Sequence, residues 1–318
     1  MHDSENDPAR PRSAPAWEYI PRDDAERARD LALEAGYGER SPEPENVDVG
    51  ARPSRGQSHK WPIILFLGTC LSTFVTGGPV YAAAVLTILL CHEFGHYIQA
   101  RRYHVPASLP YFIPMPFSPL GTMGAVIAMS GRIPNRKALF DIGISGPLAG
   151  LVPALLATWL GLQWSELAPL QAVGRGAVLF NEPLVFDWLA YLKFGSIPDT
   201  MVINAHPLAI AGWAGLFVTA LNLIPIGQLD GGHILYAMLR QWSYPITTVL
   251  LYGALAAMFL TGNYGWSLMV MLLLFSGPNH PPTHDDAAPL GRGRTILGWL
   301  TLAFIFVGFT PVPLSFVP

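Results

Sequence analysis

The chain has 318 residues, 51% of them hydrophobic and 13% charged, with a formal net charge of −3. A soluble domain carries about 25% charged residues, and a net-negative chain gives no electrostatic footprint for nucleic acid. Cys70 and Cys91 are the only cysteines and both lie in apolar stretches, which excludes a disulfide framework and a cysteine-type zinc site.

Charge is unevenly distributed. Residues 1–60 hold 13 of the 22 acidic and 9 of the 19 basic side chains. They are also rich in proline, and read as a mostly disordered polar tail, a first region distinct from a membrane region at 61–318. Within the tail, DDAERARDLALEAGYGE from Asp23 carries a short-helix pattern ending near Gly36 or Gly38. No short apolar core follows a basic start, so a secretory leader is not expected. The long apolar stretches beyond the tail predict transmembrane helices and a lipid bilayer as the surrounding phase.

Trp61 to Cys91 carry no charge, and Gly77-Gly78-Pro79 divides them. One helix is predicted over about 61–77 and a second over about 80–103. Five prolines between Pro106 and Pro119 rule out a regular helix across that stretch. GTMGAVIAMSG, residues 121–131, then alternates as a strand or hairpin does. Irregular backbone between two membrane helices requires protein or water to satisfy it, so 105–131 is read as a re-entrant loop of β type packed on the helices. A third helix is predicted over about 138–162, a polar loop over 163–205, and a fourth helix over about 207–226. GQLDGGHILYAMLRQ reads as a short helix preceded by unwound chain. Apolar segments come next at about 245–262, 265–277 and 295–310, with NHPPTHDD, residues 279–286, as a solvated loop between the last two. The expectation is an all-α polytopic membrane protein with six to seven transmembrane helices.

Segment order also predicts orientation. With the tail in the cytoplasm, eleven basic residues fall on that side, against Arg175 and Lys193 on the other. The positive-inside rule favours this arrangement, which places a multi-pass protein in the cell (inner) membrane with its N-terminal tail cytoplasmic.

HEFGH, residues 92–96, carries the chemistry. Positions i and i+4 share one helix face, so His92 and His96 can grip one ion. Imidazole nitrogens suit zinc, and a third protein ligand leaves a position for water. Glu93 sits beside such an ion and can take a proton from its water, the HExxH arrangement of metalloproteases. An ionised carboxylate in a bilayer is costly and marks a functional site by default. For the third ligand the candidates are Asp141, His206, Asp230, His233, His280, His284, Asp285 and Asp286. Asp230 is favoured because Pro225, Gly227, Gly231 and Gly232 break the helix around it and permit close approach. Asp141 reads as a helix-start charge. His233 reads as a packed or capping histidine, or as a donor to a ligand.

HEFGH near the end of one membrane helix, with NLIP and LDGG far downstream on another, resembles the site-2 protease family of intramembrane zinc metalloproteases. The resemblance covers about residues 61–310. It implies that His92, His96 and Asp230 bind one Zn2+ and that Glu93 is the catalytic acid/base. It further implies transmembrane protein substrates, and the predicted orientation puts their cleavage near the cytoplasmic face. Ser145-Gly146-Pro147 matches the family's SGP motif, read here as close helix packing. Asn222 matches the family's pattern upstream of LDG and can hold substrate backbone or a developing oxyanion, or make an interhelical hydrogen bond. The 43-residue loop at 163–205 is too short for the PDZ domain that many bacterial members insert. Two other classes fit part of the pattern: a cation-coupled membrane transporter with midplane carboxylates on broken helices, and an inactive relative that only binds membrane proteins. The acids cluster with histidines rather than lining a path, and Glu93 is intact, which favours the protease.

Overall fold

A computed structural model describes residues 60–129, 133–172, 174 and 178–316. The tail region at 1–60, apart from Lys60, lies outside the described residues, as does the short helix expected in it.

The first helical stretch, α1 (Lys60–Arg102), is two helical segments meeting at Gly78. Gly78 has φ 77° and ψ −176°, a conformation open to glycine and closed to side chains with a Cβ. Pro79 comes next, where its fixed φ can begin the second segment. The division expected at Gly77-Gly78-Pro79 is therefore present. Gly77 is small for a separate reason: a Cβ there would overlap the Tyr81 ring.

A hairpin succeeds α1. β1 (Tyr111–Pro114) pairs antiparallel with β2 (Thr122–Val126), with Tyr111 opposite Val126, Phe112 opposite Ala125, and an irregularity before Pro114. Side chains of α1 hold the hairpin by its turn. Ser72 Oγ donates to the Gly121 carbonyl at 2.6 Å, and Tyr81 OH donates to the Leu120 carbonyl at 2.8 Å. Phe112 is buried edge-on against Phe66.

The long helix α2 (Arg136–Gln163) begins where the Asn135 side chain accepts a hydrogen bond from the Ala138 amide, an N-cap. It forms a close-packed core with α1 and with α4 (Pro207–Asn222). Small residues permit the approach. A Cβ on Gly161 would overlap the Ala209 backbone, one on Gly212 would overlap Thr158, and one on Gly215 would come within 2.8 Å of Ile88.

The segment between α2 and α4 is not the polar loop that its composition predicts. It contains β3 (Glu166–Pro169), β4 (Val178–Phe180), the helix α3 (Leu184–Phe194) and β5 (Met201–Asn204). β3 pairs with β5, and β4 pairs with the C-terminal β6 (Leu314–Phe316). Phe186 and Ala190, one turn apart, bury α3 against the same core as Trp213 and Phe217. Their i, i+4 spacing supplies the anchoring face that the composition of the stretch conceals.

α4 ends at Asn222, four residues before the sequence suggests, and unwound chain leads to α5 (Asp230–Leu239). Pro225 cannot donate the next helical hydrogen bond. The chain turns instead through Ile224 N to Leu221 O (3.1 Å) and Ile226 N to Ile224 O (2.8 Å). Gly231 and Gly232 let the first turn of α5 lie directly on this strand of chain: a Cβ on either would overlap the Leu223 or Gly227 carbonyl oxygen. After α5 come α6 (Ser243–Thr261), α7 (Ser267–Ser276), α8 (Arg292–Ala303) and the short α9 (Ile305–Gly308). Among the described residues three stretches are long and apolar enough to cross a membrane: Lys60–Arg102, Arg136–Gln163 and Asp230–Thr261. Pro207–Asn222 and Tyr264–Ser276 are shorter apolar helices.

The 279–286 segment is a largely exposed loop, as expected, and it is also anchored at several points. Tyr236 OH donates to Asp286 at 2.6 Å, and the His280 ring stacks on Tyr236 at 4.5 Å. The amides of His284 and Asp285 donate to the Ile133 and Pro134 carbonyls. The buried Arg136 donates to Ala237 O at 3.0 Å and to Ala288 O at 2.8 Å. The loop is thus strapped across α5 and the start of α2.

Candidate metal centre

α1 brings His92, Glu93 and His96 to its buried face, and each is 4–6% exposed. His92 and His96 are one turn apart and their Nε2 atoms lie 3.2 Å from each other. Asp230, the first residue of α5, meets both: Oδ2 is 3.1 Å from His92 Nε2, and Oδ1 is 3.2 Å from His96 Nε2. The unwound segment before α5 and the two glycines after Asp230 put that carboxylate within reach.

The opposite wall is α2. His96 Nδ1 lies 2.8 Å from the Ile142 carbonyl oxygen. A carbonyl only accepts, so Nδ1 carries the proton, and in the neutral ring Nε2 presents its lone pair to the cluster. Gly143, Gly146 and Gly150 line the same face of α2. A Cβ on Gly146 would overlap His96 Nε2, one on Gly150 would come within 3.0 Å of His92 Cβ, and one on Gly143 would come within 3.0 Å of His233 Cβ. The SGP stretch thus acts in close packing, as expected, and what it packs against is the histidine pair. The sequence pattern shows small residues without showing which side chains they receive.

The donor set can be tested for size. Zinc holds nitrogen and oxygen ligands at about 2.0–2.2 Å, so tetrahedral neighbours stand about 3.3 Å apart. The three separations here are 3.2, 3.1 and 3.2 Å. Two imidazoles and a carboxylate, buried and converging at that spacing, fit the ion and could hold it.

Asn222, the last residue of α4, places Nδ2 3.3 Å from His92 Nε2. It joins the cluster at its edge, as an interhelical contact between α4 and α1. Among the described residues, none of the other third-ligand candidates joins the group. Asp141 is not a solitary helix-start charge: Arg294 grips it in bidentate fashion at 2.7 and 2.8 Å, and Tyr103 OH donates to it at 2.5 Å. His233 Nδ1 pairs with His280 Nε2 at 2.6 Å. His206 caps the N-terminus of α4.

Residues 80–261, which contain all of these groups except Arg294 and the His280 loop, match the family model described as peptidase family M50. The chain belongs to peptidase family M50, the site-2 protease family. Among curated proteins it is similar to "Probable zinc metalloprotease EGY1, chloroplastic" of Arabidopsis thaliana, at 30% identity over 76% of this chain and 44% of that protein. The protein of the same name from Oryza sativa subsp. japonica is 32% identical over 77% of this chain and 42% of its own length. "Probable zinc metalloprotease EGY2, chloroplastic" of Oryza sativa subsp. indica is 30% identical over 75% and 44%. This M50 chain therefore spans less than half the length of the relatives it matches.

Proposed function

We propose that this M50 protein is an intramembrane zinc metalloprotease that hydrolyses peptide bonds of transmembrane proteins near the cytoplasmic face. The observation that carries the reading is the convergence of His92, His96 and Asp230 at 3.1–3.2 Å beside a buried Glu93, on stretches long and apolar enough to cross a membrane. Buried acids without a role are rare at such depth.

In this reading His92 Nε2, His96 Nε2 and the Asp230 carboxylate would hold the ion. When bound, zinc supplies Lewis acidity toward a carbonyl oxygen and lowers the pKa of water. Glu93 accepts the proton of the attacking water and passes it to the leaving amine. The Ile142 carbonyl keeps His96 in the tautomer that turns Nε2 inward. Asn222 stands at the rim of the cluster, where its amide can hold the substrate backbone.

A helical substrate hides its carbonyls in its own hydrogen bonds and must be drawn out before it is cut. The β1–β2 sheet has two strands, so each has an edge without a partner strand among the described residues. A substrate segment adding to such an edge would be held extended. The hairpin acts in this reading as a re-entrant element within the bilayer. The two segments of α1, α2, α4, the stretch from α5 through α6, α7 and α8–α9 make up the six to seven crossings, with the tail in the cytoplasm and the protein in the cell (inner) membrane.

The test is Glu93→Gln against wild type, purified in detergent. The variant is expected to keep one zinc per chain and to lose cleavage of a transmembrane peptide. His92→Ala and Asp230→Ala are expected to lose zinc as well. Retained cleavage by the Glu93 variant would overturn the assignment.

A further inference from the structure

A cavity of about 370 Å³ lies between α6, α7 and the 309–312 segment, and none of His92, Glu93, His96 and Asp230 lines it. Ile224, Ile226, Ala254, Met258, Val270 and Leu273 form its apolar wall. Its polar groups are confined to the α6–α7 turn, where Thr261, Asn263 and Trp266 line it. The Trp266 indole N–H is already used, donating to the Pro311 carbonyl at 2.8 Å.

We propose that this cavity is a binding site for one hydrocarbon chain of a bilayer lipid. A cavity of this size lies within the range of small-molecule sites. An apolar cavity stays dry and takes an apolar ligand. The outer faces of the two helices that enclose it expose Val249, Phe259, Leu260 and Phe275, so hydrocarbon is the medium against them. Tryptophan and asparagine at one end match the polar boundary of a bilayer, where aromatic residues gather. The chain would run from that boundary inward to Ile224 and Ile226.

Those two isoleucines belong to the unwound stretch joining Asn222 to Asp230. Ile226 is buried with Leu251 and Leu273 in one small cluster, against which Ile224 and Leu229 pack. An occupant therefore braces the backbone that delivers Asp230 to the histidines. This consequence for cleavage rests on the proteolytic reading, whereas the site itself does not.

The probe is phosphatidylcholine carrying a photoreactive diazirine at the end of one acyl chain, reconstituted with the full chain in nanodiscs. The expected result is labelling of peptides from 254–273 and 309–312 that saturates with dose and is competed by unlabelled lipid. Ala254→Phe and Ala257→Phe each fill the cavity from a different position and are expected to abolish that saturable labelling. Zinc content should stay unchanged. Labelling spread evenly over the outer faces of α6 and α7, or saturable labelling that survives both substitutions, would overturn the proposal. The readout does not involve proteolysis, so an inactive enzyme that still shows saturable labelling would sink the functional reading alone.

Discussion

Gly146 faces His96 so closely that a methyl group in place of its hydrogen would overlap the imidazole Nε2. The α2 helix therefore carries a glycine where helix propensity favours alanine by about 1 kcal/mol. If packing against the His96 imidazole is the reason, Gly146→Ala should displace that ring. Zinc affinity is expected to fall about 10–100-fold, the range for supporting contacts of metal ligands, with helix content unchanged. Gly150→Ala, which meets His92 Cβ at 3.0 Å, should have the same direction and a smaller effect. Zinc titration of the two purified variants checks the order. A Gly146→Ala protein that binds zinc normally and melts higher would show that propensity, and not the histidine, governs the position.

The hairpin is held to α1 by two side chains, Ser72 on the Gly121 carbonyl and Tyr81 on the Leu120 carbonyl. Ser72→Ala and Tyr81→Phe each remove one hydrogen bond to a carbonyl that is shielded by α1, at a cost of about 1 kcal/mol in stability. If the hairpin edge receives substrate, the double variant should raise KM for a transmembrane peptide while zinc content is unaffected. Thermal unfolding and peptide kinetics in detergent separate the two effects. A lower melting temperature with an unchanged KM would confine the hairpin to a structural role.

How much of this architecture is legible in the sequence depends on the range of the interaction that fixes each feature. His92, Glu93 and His96 are neighbours on one helix, so their spacing alone puts them on one face. Asp230 is reachable by argument because the prolines and glycines around it announce unwound chain. Two features are legible only in part. The 279–286 loop is polar and proline-rich and is mostly exposed, as that polarity implies, but its anchors on Tyr236 and on the Ile133 and Pro134 carbonyls come from distant parts of the chain. Residues 163–205 read as loop by composition, while α3 is tied down by the i, i+4 pair Phe186 and Ala190. The α3 pair is local and is concealed by composition alone, whereas the β3–β5 and β4–β6 pairings around it join distant residues and leave no local period. Asp141 is hidden in the same way, since its partner Arg294 lies 153 residues away.

That Asp141–Arg294 pair, with Tyr103, ties together the end of α1, the start of α2 and the start of α8. Its arginine side chain is 38% exposed and its aspartate 16%, so solvent screens part of the attraction. A bidentate pair in such a position contributes about 1 kcal/mol. Arg294→Ala should lower the melting temperature modestly and leave zinc binding intact. Asp141→Ala should cost more, because the Tyr103 hydroxyl then loses its acceptor as well. A double-mutant cycle read by thermal unfolding measures the coupling, and a coupling near zero would assign the pair to packing alone.

The loop over α5 should respond to pH through His280. Its Nδ1 lies 2.7 Å from the Pro281 carbonyl, which can only accept. Nε2 of the neutral ring is therefore the acceptor toward His233 Nδ1. Burial lowers the His280 pKa below its ordinary value of 6.5, although the Pro281 carbonyl and Asp286 oppose it. The folded loop thus binds fewer protons than the free one. Its docking is complete above about pH 6.5 and weakens as pH falls through the lowered value. Below that value both ring nitrogens carry protons, and the contact with His233 persists only where the His233 proton moves to its own Nε2. Hydrogen exchange of residues 279–288 at pH 7.5 and pH 5 should show the loop opening at the lower pH. His280→Gln, whose side-chain oxygen accepts without titrating, should flatten the response. An opening that persists unchanged in that variant would move the titration to another group, with the Asp286 carboxylate that binds Tyr236 and Thr283 as the next to examine.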